Sequence, residues 1–301
     1  PYNHSKNKPQ AGVVMRSESE MFALILHTAE EDDRIRAVWM NGSRTNPNAQ
    51  PDIFQDYDIV YVTNEVETFR MDPHWIDRFG ERLYMQLPEK GEPHAAFCWG
   101  WLIQFADGNR LDLHVLKKDF AAAEIKKDKL CRILLDKDGI LPEMPPSTDA
   151  DYWIQRPSEE NFLAVCNEFW WCLNNVAKGL WRKEIPYAQD MVNTVLRPQL
   201  IHILSWKIGL KTNFTVSIGK SGKEMWRWLT KNEWEAFLST YAAGSITAMK
   251  EAYIQMCLLF DATAREIAVS FGFCYNKAEA DNSFSYFRHV IDLPENANAV
   301  Y

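Results

Sequence analysis

The stretch "LPEMPPSTDAD", residues 141 to 151, carries three prolines and few apolar side chains. Proline fixes φ and has no backbone N–H, so neither a helix interior nor an inner strand runs through this segment. It reads as a linker, and the patterning changes across it. Before it, short runs of branched and aromatic residues at about 35–41, 57–63, 83–87, 95–106, 110–116 and 131–135 predict strands. The "ADGN" between the fourth and fifth runs contains Asp-Gly, a hairpin signal. Ser17, with Glu20 three residues on, predicts a capping box opening a helix through Phe22, Ile25 and Leu26. Asp72-Pro73 predicts the start of a short helix.

Beyond the linker the spacing turns helical, at about 158–182, 187–209, 222–230, 232–242 and 245–270, with Pro198 expected to end or kink the second. The expected fold is therefore α+β, with a mixed-sheet domain over 15–145 and an all-helical domain over 152–290. Residues 1–14, polar and turn-rich, read as a leader or unrelated extension, with Met15 the natural start.

Composition narrows the function classes. At 301 residues, 47% apolar and 25% charged, the chain reads as a globular protein large enough for two cores. No apolar run approaches the ~18 residues of a membrane span. The six cysteines form no C-x-x-C pair and fall in apolar segments, as buried free thiols of a reducing cytoplasm would. The histidines show no H-E-x-x-H, which argues against zinc. A net charge of −8 disfavours nucleic acid and favours a cationic partner. A monomer is expected.

Asp56 and Asp58 stand at the mouth of the 57–63 strand, just after the Gly42-Ser43 pair and a long polar loop. Side chains two apart on a strand share a face, their Cα atoms roughly 6.6 Å apart. Two like charges held there cost energy unless a cation lies between them. Asp112 lies on a later strand, where alternation puts Arg110, Asp112 and His114 on one face and Leu111, Leu113 and Val115 on the other. Taken alone, Asp112 reads most simply as a solvent-facing residue. Taken together, three carboxylates on a strand pair can hold one or two Mg²⁺ ions that clamp a triphosphate for in-line attack. Gly42 lets the backbone approach phosphates closely, and Ser43 with its neighbouring N–H groups can bind their oxygens.

These residues carry a resemblance. "GSR", a loop, "DYDI" and a later strand aspartate are similar to the nucleotidyltransferase superfamily of the DNA polymerase β type. The longer text "MNGSRTNPN", "DIFQDYDIVYV", "NEFWWCLNNVAKGLWRKEI" and Ile203–Gly209 resembles the aminoglycoside 6-adenylyltransferases, enzymes of streptomycin resistance. The likeness runs from about Met15 to about Phe287. It implies transfer of AMP from ATP to a drug hydroxyl, with pyrophosphate released. Asp56 and Asp58 would hold Mg²⁺, and Gly42, Ser43 and Arg44 would cradle the β- and γ-phosphates. Asp112 would either complete the metal site or act as general base. Rival readings are a transferase with another acceptor (another aminoglycoside, a lincosamide or a protein hydroxyl) and a non-catalytic module that binds nucleotide or drug.

In the 158–182 helix, Phe162, Val165, Cys166, Phe169, Leu173, Val176 and Leu180 form one stripe, the expected core. Glu168, Trp171, Asn175, Lys178 and Arg182 fall opposite. This second face reads either as solvated or as lining a cleft between the domains. In the second case Glu168, Trp171 and Asn175 would meet the acceptor, and Lys178 and Arg182 would reach phosphate. "SIGKSGK", residues 217 to 223, is not a P-loop, because Phe214 stands where the first glycine belongs.

Overall fold

The computed structural model describes residues 14–301; the first 13 residues of the expected leader lie outside the described part. The chain divides into two compact units, one ending at Asp151 and one running from Tyr152 to Tyr301. The first is built on strands β1 (Ile35–Asn41), β2 (Tyr57–Thr63), β3 (Arg82–Gln86), β4 (Cys98–Phe105), β5 (Arg110–Lys117) and β6 (Cys131–Asp136). Its helices are α1 (Glu18–Glu31), α2 (Val66–Arg70) and α3 (Lys118–Glu124). The strands form one sheet in the order β3-β4-β5-β2-β1-β6, antiparallel throughout except for the parallel pair β2–β5.

Alternation along β2 and β5 decides which face is dry. Tyr57, Ile59 and Tyr61 on β2 and Leu111, Leu113 and Val115 on β5 enter the larger core, with Met21 and Ile25 of α1 and Trp75, Ile76 and Phe79 of a 3₁₀ turn. The opposite face has a smaller apolar cluster at one end only, where Ala121 of α3 and Ile125 meet Trp39, Val62 and Leu116. The other end of that face is left to polar groups. The β4–β5 hairpin turns at Asp107-Gly108 as its sequence predicts, with Gly108 at φ 93°.

The second unit is helical: α4 (Glu159–Trp181), α5 (Ile185–Met191), α6 (Arg197–Thr212), α7 (Lys231–Leu238), α8 (Ile246–Phe271) and α9 (Lys277–Ile291). Three features depart from the sequence pattern. Pro198 does not end the helical run: it sits in the first turn of α6, directly after a π-helical turn over Val192–Leu196. The segment 222–230 is no helix, since Gly222 at φ 75° interrupts it and only short 3₁₀ turns remain. The unforeseen α9 packs on α4, where Asn167 donates to Glu279 at 2.8 Å and Ser283 donates to the carbonyl of Trp170. That packing buries Trp170 beside the expected stripe. All six cysteines are free, as expected, although Cys274 is exposed. Among the described residues no helix is long and apolar enough to cross a membrane.

Candidate active site

The parallel register pairs Asp58 of β2 with Asp112 of β5, so their side chains stand side by side on the polar face. Asp56, just ahead of β2, completes a cluster: one oxygen from each of Asp56, Asp58 and Asp112 lies within 4.8 Å of the others. Asp112 is only 9% exposed. Gly42 follows β1, whose Asn41 is the register partner of Asp58. Any Cβ at Gly42 would stand 2.1 Å from Asp58 Oδ2, and its φ of 78° is itself a left-handed value. Here glycine makes room for a carboxylate, a reason beyond the expected approach to phosphate.

Charge at the cluster is poorly balanced. Burial, then the charges of Asp56 and Asp112, push the Asp58 carboxyl up to about 7, and Arg110 and His114 offset this only in part. Arg110 grips Asp112 with both arms of its fork, Nε to Oδ1 at 2.9 Å and Nη2 to Oδ2 at 2.6 Å. Its Nε is also 3.7 Å from Asp56 Oδ2. Three hard, anionic oxygens this close are the donor set that Mg²⁺ takes through one or two carboxylates, with water and phosphate filling the remainder. The residues therefore fit the metal that the sequence pattern implies.

Around the cluster, Ser43 opens a 3₁₀ turn, and its hydroxyl accepts from Gln55 Nε2 at 3.4 Å. Arg44 is committed elsewhere. It donates to the carbonyls of Asp56 and Gln55, each at 2.9 Å, lies over the Tyr57 ring and pairs with Glu18 at 3.3 Å. In this structure Arg44 anchors the loop that delivers Asp56. Two further residues come close. His114, next along the face from Asp112, pairs through Nε2 with Glu89 at 3.3 Å. Gly100 of β4 makes that pair possible, since a Cβ there would lie 2.5 Å from the imidazole. Burial alone would raise the Glu89 carboxyl, but the His114 bond and backbone N–H groups hold it below its ordinary value. Glu89 lies in the β3–β4 loop, and no local pattern marked it.

On α4 the expected face is available. Trp171 is 69% exposed, Glu168 and Arg182 are exposed, and Asn175 and Lys178 are partly so. The Cys172 thiol donates to Glu168 at 3.5 Å.

The family model of streptomycin adenylyltransferase matches residues 15–290. The chain belongs to this family. It is 40% identical to an aminoglycoside 6-adenylyltransferase of Campylobacter jejuni, over 87% of this chain and 91% of that one. A namesake from Bacillus subtilis (strain 168) is 38% identical over 92% and 98%, and one from Staphylococcus aureus 34% over 82% and 89%. As a member of this family the chain is a nucleotidyltransferase.

Proposed function

We propose that this nucleotidyltransferase moves AMP from ATP to the 6-hydroxyl of an aminoglycoside, streptomycin in particular, and releases pyrophosphate. The convergence of Asp56, Asp58 and Asp112 on one open sheet face carries the reading. Asp56 and Asp58 would hold Mg²⁺, two ions in the full site, with Asp112 beside them. The metal's contribution when bound is neutralisation of the triphosphate and stabilisation of charge developing on it. Ser43 and the backbone after Gly42 would bind phosphate oxygens. The acceptor hydroxyl attacks the α-phosphorus, the bond to the bridging oxygen breaks, and pyrophosphate leaves. Asp112 takes the hydroxyl proton, once Arg110 has let go of it. Glu168, Trp171 and Asn175 are proposed for the acceptor and Lys178 and Arg182 for phosphate, supported by their exposure on α4.

Pyrophosphate release from Mg·ATP across a panel of aminoglycosides tests this function. Release with streptomycin and not with unrelated acceptors is expected; release driven by another acceptor class would overturn the substrate. Asp112→Asn should then cut kcat by ~10²–10⁴-fold with Mg·ATP affinity nearly unchanged, the scale of base catalysis. Substantial rescue by added Mg²⁺ or Mn²⁺ would instead make Asp112 a metal ligand.

A further inference from the structure

Among the described residues, Arg110 is the one cation ion-paired within the aspartate cluster, meeting Asp112 and Asp56. It occupies both oxygens of Asp112 in a two-pronged bond, the strong, planar form of the guanidinium–carboxylate contact. Asp112 therefore keeps only the second lone pair of each oxygen for any further donor or cation. Through its contact with Asp56 the same guanidinium also spreads its charge over a second member of the cluster. Yet the Arg110 side chain is 47% exposed, so its head can leave without disturbing the core beneath β5.

We propose that Arg110 is the resting counter-ion of the aspartate cluster and makes the site take a divalent cation with the triphosphate, in preference to the bare ion. The inference rests on the nucleotide reading above. A bare cation between Asp56 and Asp58 must displace, or stand beside, the guanidinium held 3.7 Å from Asp56, with no anion offered in exchange. A metal–triphosphate complex brings phosphate oxygens that match the same fork, so the guanidinium passes from carboxylate to phosphate. Arg110 thus couples two bindings that would otherwise be independent. Coupling of this kind is reciprocal: whatever nucleotide adds to metal affinity, metal adds to nucleotide affinity.

The test is Mn²⁺ titration of the full chain, read by the electron paramagnetic resonance of free Mn²⁺, with and without a non-reactive ATP analogue. Wild-type protein should bind bare Mn²⁺ weakly and much more tightly with the analogue. Arg110→Met should bind bare Mn²⁺ about 10- to 100-fold more tightly than wild type, the scale on which one adjacent charge moves an equilibrium. The gain from adding analogue should shrink by a similar factor. Arg110→Gln, which keeps a polar head without charge, gives the same answer should the methionine variant fold poorly. Equal bare-Mn²⁺ affinity in wild type and a folded Arg110 variant would overturn the proposal while leaving the nucleotide reading intact. Failure of every protein to take up Mn²⁺, even with analogue, would overturn both.

Discussion

In the sheet unit three carboxylates crowd within 4.8 Å of one another around a single guanidinium. In the helical unit Glu233 sits among partners: Lys207 at 2.7 Å, Lys211 at 3.3 Å and the Thr230 amide at 2.7 Å, closing a capping box at the start of α7. The consequences for the proton run in opposite directions. Asp58 is pushed up to about 7 by burial and its neighbouring aspartates. For Glu233, burial works upward too, but Lys207 and the Thr230 bonds overcome it and bring the carboxyl down to about 2. One carboxylate is held against its electrostatic preference and the other with it. The first arrangement destabilises the metal-free fold and is one that the proposed cation would relieve; the second contributes stability of its own.

Asp58→Asn breaks this contrast most sharply. Turnover should fall by roughly 10³-fold, since several kcal/mol of charge stabilisation depend on the metal. Stability of the metal-free protein should rise. The folded carboxyl is raised from 3.8 to about 7, so its penalty is absent below pH 3.8, grows as pH climbs and is complete above about 7. At 1.36 kcal/mol per unit this amounts to ~4 kcal/mol. Urea unfolding in chelator at pH 8 and pH 4 measures it. No gain at pH 8 would mean that the cluster is not strained, and the case for a cation site would weaken with it.

Glu233→Gln is the opposite experiment. A depressed carboxyl gives stability that is present above its ordinary value of 4.5 and lost as pH falls toward 2. The variant should be ~1–2 kcal/mol less stable at pH 7, after allowance for solvent screening, and indistinguishable from wild type near pH 2. Its kcat should not change. A kcat loss larger than the stability loss explains would move Glu233 from scaffold to chemistry.

The contrast was partly legible in the sequence. Strands β1 and β2 fall at the expected residues because period-two alternation and bounding turns are local signals. The shared face of Arg110, Asp112 and His114 follows from the same period, and the structure keeps it. The pairing of Asp58 with Asp112 was not legible, because register across β2–β5 is set by a parallel contact more than 50 residues distant in sequence. Glu89 was invisible for a similar reason: it meets His114 only after β4 and β5 have paired. Arg44, placed at the phosphates by family resemblance, is engaged here by loop carbonyls and an aromatic ring, contacts that no local sequence pattern marks. Helix α9 has a short apolar stripe, Ala280, Phe287, Val290 and Ile291, within a mostly polar segment, so its burial depends on α4 being there.

The smallest expected effect on stability belongs to Trp171, and it asks whether the helical unit carries function as well as structure. The indole is 69% exposed on α4, whose core is made by Phe162, Phe169, Leu173 and Val176. Its loss should change stability by no more than about 0.5 kcal/mol, as for most surface substitutions. An exposed aromatic face attracts a guanidinium or ammonium with ~0.5–2 kcal/mol, which corresponds to roughly a 2- to 30-fold change in affinity. Trp171→Ala should therefore raise the aminoglycoside KM by that factor and leave the ATP KM unchanged, with kcat little affected at saturating acceptor. Steady-state kinetics with each substrate varied in turn separates the two constants. Equal shifts in both, or none, would leave Trp171 as an ordinary surface residue and confine the site's legible chemistry to the sheet unit.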